Sequence, residues 1–195
     1  MTIPEWRLGL FSVIILLLGL LAACSDAEEE TAGLPEAPDD GVRSESFGVT
    51  YLFSDSARVT AKMEVAHLIE KEEEQEDKKS RENIMYLEDS LHISFLGVRG
   101  AITSEVTASR GTYYKDKGLA VLEGNVEMTN IRGERMQTEK LYWDERKEAI
   151  YNHTFVRIET ANEFLECDSG LTANTDFTRW RLRGGVSGIA SYPKN

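Results

Sequence analysis

The stretch Met136-Gln-Thr-Glu-Lys-Leu-Tyr-Trp143 decides the fold class of this chain. Apolar and polar side chains alternate along it, and the phase of the alternation slips once, at Glu139-Lys140. A period of two with aromatic and β-branched residues predicts a β-strand that buries one face. The slip predicts a bulge or bend in the middle of that strand.

The same pattern recurs at a spacing of 30 residues. Three copies align without gaps, at residues 107–126, 137–156 and 167–186. A fourth, interrupted copy begins at Val59 and resumes at Ser90. Internal repeats of this length indicate stacked units, each of which buries its apolar face against its neighbours.

Polar turn segments separate the predicted strands. Residues 115–118 and 144–147 are predicted to be hairpin loops, and residues 130–133 close one copy and open the next. Each copy is therefore a bent antiparallel hairpin, and the stacked hairpins give an all-β fold whose sheet folds on itself. The terminal hairpins of such a stack present open edges, which proteins cover, charge or use to pair with a partner strand.

The N-terminal segment predicts export and a membrane anchor. Residues 8–23 carry no charge and lead into Leu21-Ala-Ala-Cys24. This run is shorter than the roughly 20 apolar residues of a membrane-spanning helix and suits the apolar region of a signal peptide. Small residues followed by Cys24 resemble a bacterial lipobox, in which the cysteine is acylated and becomes the new N-terminus. The alternative is an uncleaved signal anchor, an apolar helix that stays in the membrane.

The residues after the signal segment are expected to form a tether. Residues 24–40 contain seven acids, two prolines and no base. Such a segment cannot bury a core, so we expect a signal peptide at 1–23 and an acidic disordered tether at 24–46. The net charge is −12, but we expect the remainder of the chain to be only mildly acidic and to have no basic stripe. Nucleic-acid binding is therefore disfavoured.

The folded domain is predicted to span residues 47–190, with a charged insertion at 70–83. The insertion reads Glu70-Lys-Glu-Glu-Glu-Gln-Glu-Asp-Lys-Lys-Ser-Arg-Glu82. We expect a solvated loop or hairpin tip there, because runs of charge are usually solvated. A short exposed helix is the alternative.

The inward positions of the repeat form the candidate lipid-binding surface. Burial of an acyl chain contributes about 0.8 kcal/mol per methylene and needs no specific polar partner. For each position the alternative is plain core packing. The predicted interior residues are Val106, Ala108, Tyr113, Ala120, Val126, Met128, Met136, Leu141, Trp143, Ile150, Val156, Ile158, Leu171, Ala173, Trp180, Leu182 and Val186.

The sequence shows no pattern of residues that is typical of a catalytic site. The three histidines, His67, His92 and His153, stand in unrelated places, and no catalytic triad, metal-ligand cluster or phosphate-binding loop is seen. Cys167 lies in a β-like run and is expected to be a small buried residue without a disulfide partner. We therefore predict a protein that is not an enzyme and that carries no cofactor or metal.

Four segments of the repeat region resemble the LptC family: Gly124-Asn-Val126, Thr138-Glu-Lys-Leu-Tyr-Trp-Asp144, Gly170-Leu171 and Gly184-Gly-Val-Ser-Gly188. The resemblance covers roughly residues 47–190, and the lipobox-bearing N-terminus is similar to that of Bacteroidetes-type members. It implies an open, twisted β-jelly-roll of the OstA-like kind found in LptA. The chain departs from better-known members in its predicted lipid anchor and in the charged stretch at 70–83.

The resemblance also implies a function in lipopolysaccharide export. Lipopolysaccharide would arrive from an inner-membrane ABC transporter near the N-terminal edge, and the protein would hold its acyl chains between the sheets. The ligand would then leave for an LptA-like bridge that pairs with the C-terminal edge strand. The protein would then sit at the periplasmic face of the inner membrane of a Gram-negative bacterium. The acids that follow Cys24 leave open a surface or structural lipoprotein that uses its β-stack for protein contacts, and an LptA-like bridge component is a further alternative.

Overall fold

The computed structural model describes residues 42–74 and 81–190, and every regular element in that part of the chain is a β-strand. The all-β prediction is confirmed. The strands are β1 (Val42–Asp55), β2 (Arg58–Glu74), β3 (Arg81–Leu96), β4 (Ile102–Ala108), β5 (Arg110–Tyr114), β6 (Leu119–Asn130), β7 (Arg135–Asp144), β8 (Ala149–Tyr151), β9 (Val156–Glu159), β10 (Glu163–Cys167), β11 (Leu171–Asn174), β12 (Trp180–Leu182) and β13 (Val186–Ala190).

All strand pairs are antiparallel, and the long strands are shared between two half-sheets. The N-terminal part of β3 pairs with β5, for example, whereas its C-terminal part pairs with β4. Half-sheet 1 contains β5, β8, β11 and β12, and half-sheet 2 contains β4, β9, β10 and β13. Strands β1, β2, β3, β6 and β7 contribute one end to each.

The strands change from one half-sheet to the other along a single line, which we call the kink line. In the repeat region, the successive points at which strands cross the kink line are separated along the sequence by about half of the 30-residue repeat. The slip predicted at Glu139-Lys140 is one of them, opposite the irregularity in β6. The kink line runs through Gly48, Ala66, Asp89-Ser90, Ser109, Gly124-Asn125, Glu139 and residues 152–155, 168–170 and 183–185.

Backbone geometry and a buried amide hold the kink line between β8 and β11. The Asn152 side chain is buried, donates to Thr138 Oγ1 (2.9 Å) and accepts a hydrogen bond from the Leu171 N–H (2.7 Å). Gly170 has a φ of +90°, and a Cβ there would lie 2.3 Å from the Asn152 carbonyl oxygen. Only glycine fits this approach without strain.

The core lies between the inner faces of the two half-sheets, as in two-layer β-proteins. Inward residues from both halves belong to one apolar cluster that runs from β1 to the β11–β12 loop. Cys167 belongs to it and is buried, as predicted. The turns at 115–118, 131–134 and 145–148 fall within one residue of the polar segments that predicted them.

Two boundaries differ from the sequence-based expectation. Strand β1 begins at Val42, so residues 42–46 are strand and not tether. The charged stretch is largely strand as well, because β2 extends to Glu74 and pairs with β3 from Arg81 onward. Residues 75–80, on which the rest of the hairpin-tip prediction falls, lie outside the described residues, and the alternative helix does not occur at 70–74 or 81–83.

The ends of the stack are open in the described part of the chain. Strand β1 pairs only with β2, β12 only with β11, and β13 only with β10. The predicted signal segment, Cys24 and the tether up to residue 41 lie outside the described residues. In the described part, no helix is long and apolar enough to cross a membrane.

Candidate functional site

Most of the residues predicted to line the interior are gathered between the half-sheets. Fourteen of the seventeen positions are buried, from Val106 on β4 to Ala173 on β11. They come from both half-sheets, because inward positions continue in register across each strand pair; Met128, Met136 and Ile158 face one another in this way. Whether a ligand contacts them stays a prediction.

The three remaining positions lie at the C-terminal end of the stack. Trp180 and Leu182 on β12 are half-buried against the core. Val186 is not buried, since half of its surface (50%) is exposed, and its role in the interior stays a prediction. Its register is inward, because it lies opposite the buried Cys167, but β13 is the last described strand and no further strand covers it.

Strands β1 to β3 contribute interior residues that the site prediction omitted. The interrupted copy at Val59 and Ser90 carried their signal, since apolar residues alternate along both segments. Phe177 in the β11–β12 loop had no such signal, because it belongs to no strand. The additional buried residues include Phe53, Ala61, Met63, Val65, Met85, Leu87, Leu91, Ile93, Phe95, Leu122 and Phe177.

Opposite the kink line, the ends of the two half-sheets meet along a second line, which we call the seam. Here side chains, and not strand pairing, join the two halves in the described residues. Phe53 of half-sheet 2 lies 4.7 Å from Trp143 and 5.2 Å from Tyr113 of half-sheet 1, between ring centroids. Phe95 of half-sheet 2 lies 5.1 Å from Trp143. Edge-to-face contacts of this kind favour a packed cluster.

The β11–β12 loop closes the seam nearer the C-terminal end. The Asn130 side-chain amide donates to the Phe177 carbonyl oxygen (2.9 Å), and the Ser104 hydroxyl donates to the Thr175 carbonyl oxygen. The Phe177 side chain is fully buried, although its backbone has a φ of +51°. A left-handed backbone at a bulky residue is strained, so the surrounding contacts hold the phenyl ring in place.

A cleft of about 730 Å³ opens to solvent above the aromatic contacts of the seam. Its floor is apolar and includes Ala61, Phe95 and Trp143. Its walls are the strand-end turns of the two half-sheets and carry four bases and four acids: Arg58, Lys115, Arg146, Lys147, Asp55, Glu145, Glu148 and Asp176. An apolar floor with charged walls suits an amphiphile.

The charged groups of the cleft differ in how they are paired. Lys115 contacts Glu70 (2.8 Å) and Lys147 contacts Asp144 (2.6 Å), and the latter hydrogen bond lowers the pKa of the Asp144 carboxyl. Arg58 and Arg146 form no ion pair within 4.0 Å among the described residues. The two arginines stand on opposite walls. The Arg146 guanidinium donates to the Asp116 carbonyl oxygen, whereas the Arg58 guanidinium has no hydrogen-bond partner among the described residues.

Tyr113 connects the floor of the cleft to its wall. Its hydroxyl donates to Glu145 Oε2 (2.6 Å). Burial, reinforced by the neighbouring carboxylate, raises the pKa of Tyr113 well above its ordinary value. The phenol is therefore a neutral hydrogen-bond donor at any physiological pH.

No metal site is assembled in residues 42–74 and 81–190. No group of three or more His, Cys, Asp or Glu side chains there could hold a metal ion. His67 and His92 each lie between two carboxylates on outer strand faces, at the surface. These contacts are cross-strand pairs that stabilise the sheet.

Comparison with known proteins agrees with this architecture. No curated protein matches the sequence. The family model described as "Lipopolysaccharide-assembly, LptC-related" matches residues 72–190, which is more than half of the chain and includes β3 to β13 in full. The chain, with its kinked antiparallel stack and apolar interior, belongs to the LptC family.

Proposed function

We propose that the protein is a relay in lipopolysaccharide export that holds the acyl chains of its ligand between the two half-sheets. Membership of the LptC family makes it a lipopolysaccharide-transport protein of the Gram-negative envelope, associated with the inner membrane and facing the periplasm, and places it outside the enzyme families. The finer proposal adds how the ligand is held, where it enters and where it leaves.

The observation that carries the proposal is the difference between the two sides of the interior. The interior is predominantly apolar, yet along the seam it is closed only by side-chain contacts and a few hydrogen bonds. Side chains change rotamer far more readily than a β-ladder breaks. Acyl chains therefore enter by parting the seam, and each buried methylene contributes about 0.8 kcal/mol.

The seam cleft suits the polar end of the same ligand. Lipopolysaccharide is an amphiphile with phosphorylated sugars, and arginine binds phosphate through paired hydrogen bonds. Arg58 and Arg146 provide such groups on opposite walls, directly above the apolar floor. The headgroup would remain in the cleft while the chains occupy the interior.

The two open edges give the relay a direction. An inner-membrane ABC transporter would deliver ligand at the β1 edge, and an LptA-like bridge would receive it at the edge formed by β12 and β13. Inward positions support an exit at that end, because they change from buried on β11 to half-buried on β12 and half-exposed at Val186. Cys24, with two or three acyl chains attached, would anchor the protein in the membrane.

Site-specific photo-crosslinking in cells tests the proposal. A photoreactive residue at Val156, which is fully buried and inward, should yield an adduct with lipopolysaccharide. The matched control is Arg157, which lies next to it on the outer face of β9 and should yield little or none. Equal adducts from the two positions, or none from Val156 and from the equally buried Ile150, would show that the interior does not hold the ligand.

A further inference from the structure

Strand β12 and its flanks carry a row of arginines on the outer face of half-sheet 1. The segment reads Arg179-Trp-Arg-Leu-Arg183, and all three arginines are exposed. Arg181 lies opposite Thr172, the Arg183 N–H donates to the Gly170 carbonyl (2.8 Å), and the Asn174 N–H donates to the Arg179 carbonyl (3.2 Å). The three side chains therefore share one face, at every second residue. Composition alone had not revealed this short basic stripe.

The arginine stripe lacks the acidic neighbours that several other outer-face cations have. Several cations elsewhere on the sheet contact an acid on the adjacent strand, as in Arg157–Glu166 (2.8 Å) and Lys140–Glu123 (2.8 Å). The stripe forms no ion pair within 4.0 Å among the described residues. Strand β11 offers it only uncharged residues, and the Arg183 guanidinium donates to Thr172 Oγ1 (2.6 Å). In a chain of net charge −12, the stripe is an exception.

The backbone of β12 is also half unpaired. Alternate residues of an antiparallel strand direct their N–H and C=O groups to opposite sides. Arg179, Arg181 and Arg183 direct theirs toward β11, so Trp180 and Leu182 direct theirs to the free edge. A strand that hydrogen-bonded there would place every second side chain beside the stripe.

We propose that β12 is completed by an edge strand of another protein that presents acidic side chains at alternate positions, one beside each arginine of the stripe. This inference rests on the proposed relay and names the chemistry of the partner at its exit edge. Cross-strand pairs of opposite charge stabilise a sheet, and like charges in those positions oppose pairing. The stripe thus selects the partner and also repels strands with basic outer faces.

Two other occupants fit less well. A second copy of this chain would bring its β1 edge, where the exposed Arg43 and Glu45 have opposite charges and already contact Glu72 and His67. Phosphates of a lipid surface would pair with the guanidinium groups but would leave the backbone of Trp180 and Leu182 unpaired. Only a strand satisfies the side chains and the backbone together.

Photo-crosslinking of the full-length protein in its own cells tests the inference. Gly185 lies two residues after Arg183, and a Cβ there meets no atom within 4 Å, so a photoreactive residue is tolerated. The expected product is a protein adduct whose captured segment has Asp or Glu at alternate positions. Reversal of the stripe by R179E/R181E/R183E should reduce the adduct by about tenfold or more, and R179K/R181K/R183K should keep most of it.

The controls separate partner selection from folding and from general charge. Arg99→Glu, in the exposed β3–β4 turn, removes another arginine without an ion pair and should leave the Gly185 adduct unchanged. Substitution of arginines for the acids of the captured partner segment should restore the adduct of the R179E/R181E/R183E variant. No protein adduct, a segment without alternating acids, an adduct indifferent to reversal, or capture of lipid or of a second copy would each overturn the inference. The lipopolysaccharide adduct at Val156 reports on the relay independently.

Discussion

The kink line and the seam bound the same interior, but they are built from different kinds of contact. At the kink line each strand passes from one half-sheet to the other, and buried polar groups such as Asn152 bond to backbone and side chains on both sides. At the seam, Phe53, Phe95, Tyr113 and Trp143 meet through their rings. The kink line is the fold of a single sheet, and the seam is the line along which the two folded halves meet.

This difference shows which side of the interior is able to open. At the kink line the strands run continuously from one half-sheet to the other, which opposes separation. Separation there would also expose buried polar groups, whose desolvation costs about 1–3 kcal/mol each. Separation at the seam breaks ring contacts worth about 0.5–1.5 kcal/mol each beyond their burial. In the proposed relay, an inserted acyl chain replaces that apolar contact. We therefore expect the two half-sheets to part at the seam and to stay joined at the kink line.

The largest expected effect comes from truncation at the seam. Trp143→Ala should lower the free energy of unfolding by roughly 3–5 kcal/mol, because it removes the ring that Phe53 and Phe95 both contact. It should also increase binding of an apolar fluorescent dye to the folded protein. Urea unfolding and dye titration measure the two. Tyr142→Ala, on the outer face next to it, should cost about 1 kcal/mol without added dye binding; equal effects would contradict a packed seam.

A glycine substitution on the kink line should have the next largest effect. Gly170→Ala should destabilise the protein by roughly 2–4 kcal/mol, because a methyl group would collide with the Asn152 backbone at a φ of +90°. The comparison variant is Gly185→Ala, where the added methyl group meets nothing and stability should hold within about 0.5 kcal/mol. Urea midpoints decide between them. Unlike the seam variant, Gly170→Ala should not raise dye binding by the remaining folded protein.

The smallest effect concerns alkaline pH. The pKa of Tyr113 is raised in the fold by burial and by Glu145, whereas an unfolded tyrosine ionises near pH 10. The stabilisation linked to the neutral phenol is therefore fully present below about pH 10 and is lost as the pH rises further. Tyr113→Phe should flatten the decline of the urea midpoint as the pH rises above about 10.

Tyr86 provides the control for this pH dependence. Burial, with a hydrogen bond to Glu73, raises the pKa of Tyr86 to about 12, but the residue lies on β3 away from the seam. Tyr86→Phe should also flatten the decline, but only Tyr113→Phe should change dye binding at neutral pH. If neither variant alters the slope, the two phenols do not contribute to the alkaline loss of stability.

Local patterns predicted the repeat, the turns and the bend at Glu139-Lys140, because strand period and turn chemistry are written in neighbouring residues. The register of the inner face followed from the same alternation. Phe53 and Trp143 meet across the fold although they are far apart in the chain, so no local pattern pairs them. The exposure of Val186 depends on where the stack of strands ends, which alternation does not record.

The charged stretch shows how cross-strand partners override composition. Glu70 and Glu72 belong to a run that composition marks as solvated, yet they lie in β2. Lys115 contacts Glu70, and Arg43 and Arg81 both contact Glu72. Arg81 belongs to the stretch itself and pairs across the hairpin, whereas Arg43 on β1 and Lys115 in the β5–β6 turn lie outside any short sequence window around the two acids. Tertiary pairing decides strand formation in such a segment.

The number of strands across half-sheet 1 sets the length of the apolar interior along the stack. Nine strands, from β1 to β12 by way of β5 and β8, follow one another, and at about 4.8 Å per step they span about 38 Å. The hydrocarbon core of a whole bilayer is about 30 Å thick, so chains that fill one leaflet extend over about 15 Å. In the proposed relay, the apolar interior is therefore long enough for the acyl chains of two amphiphiles placed end to end along the stack.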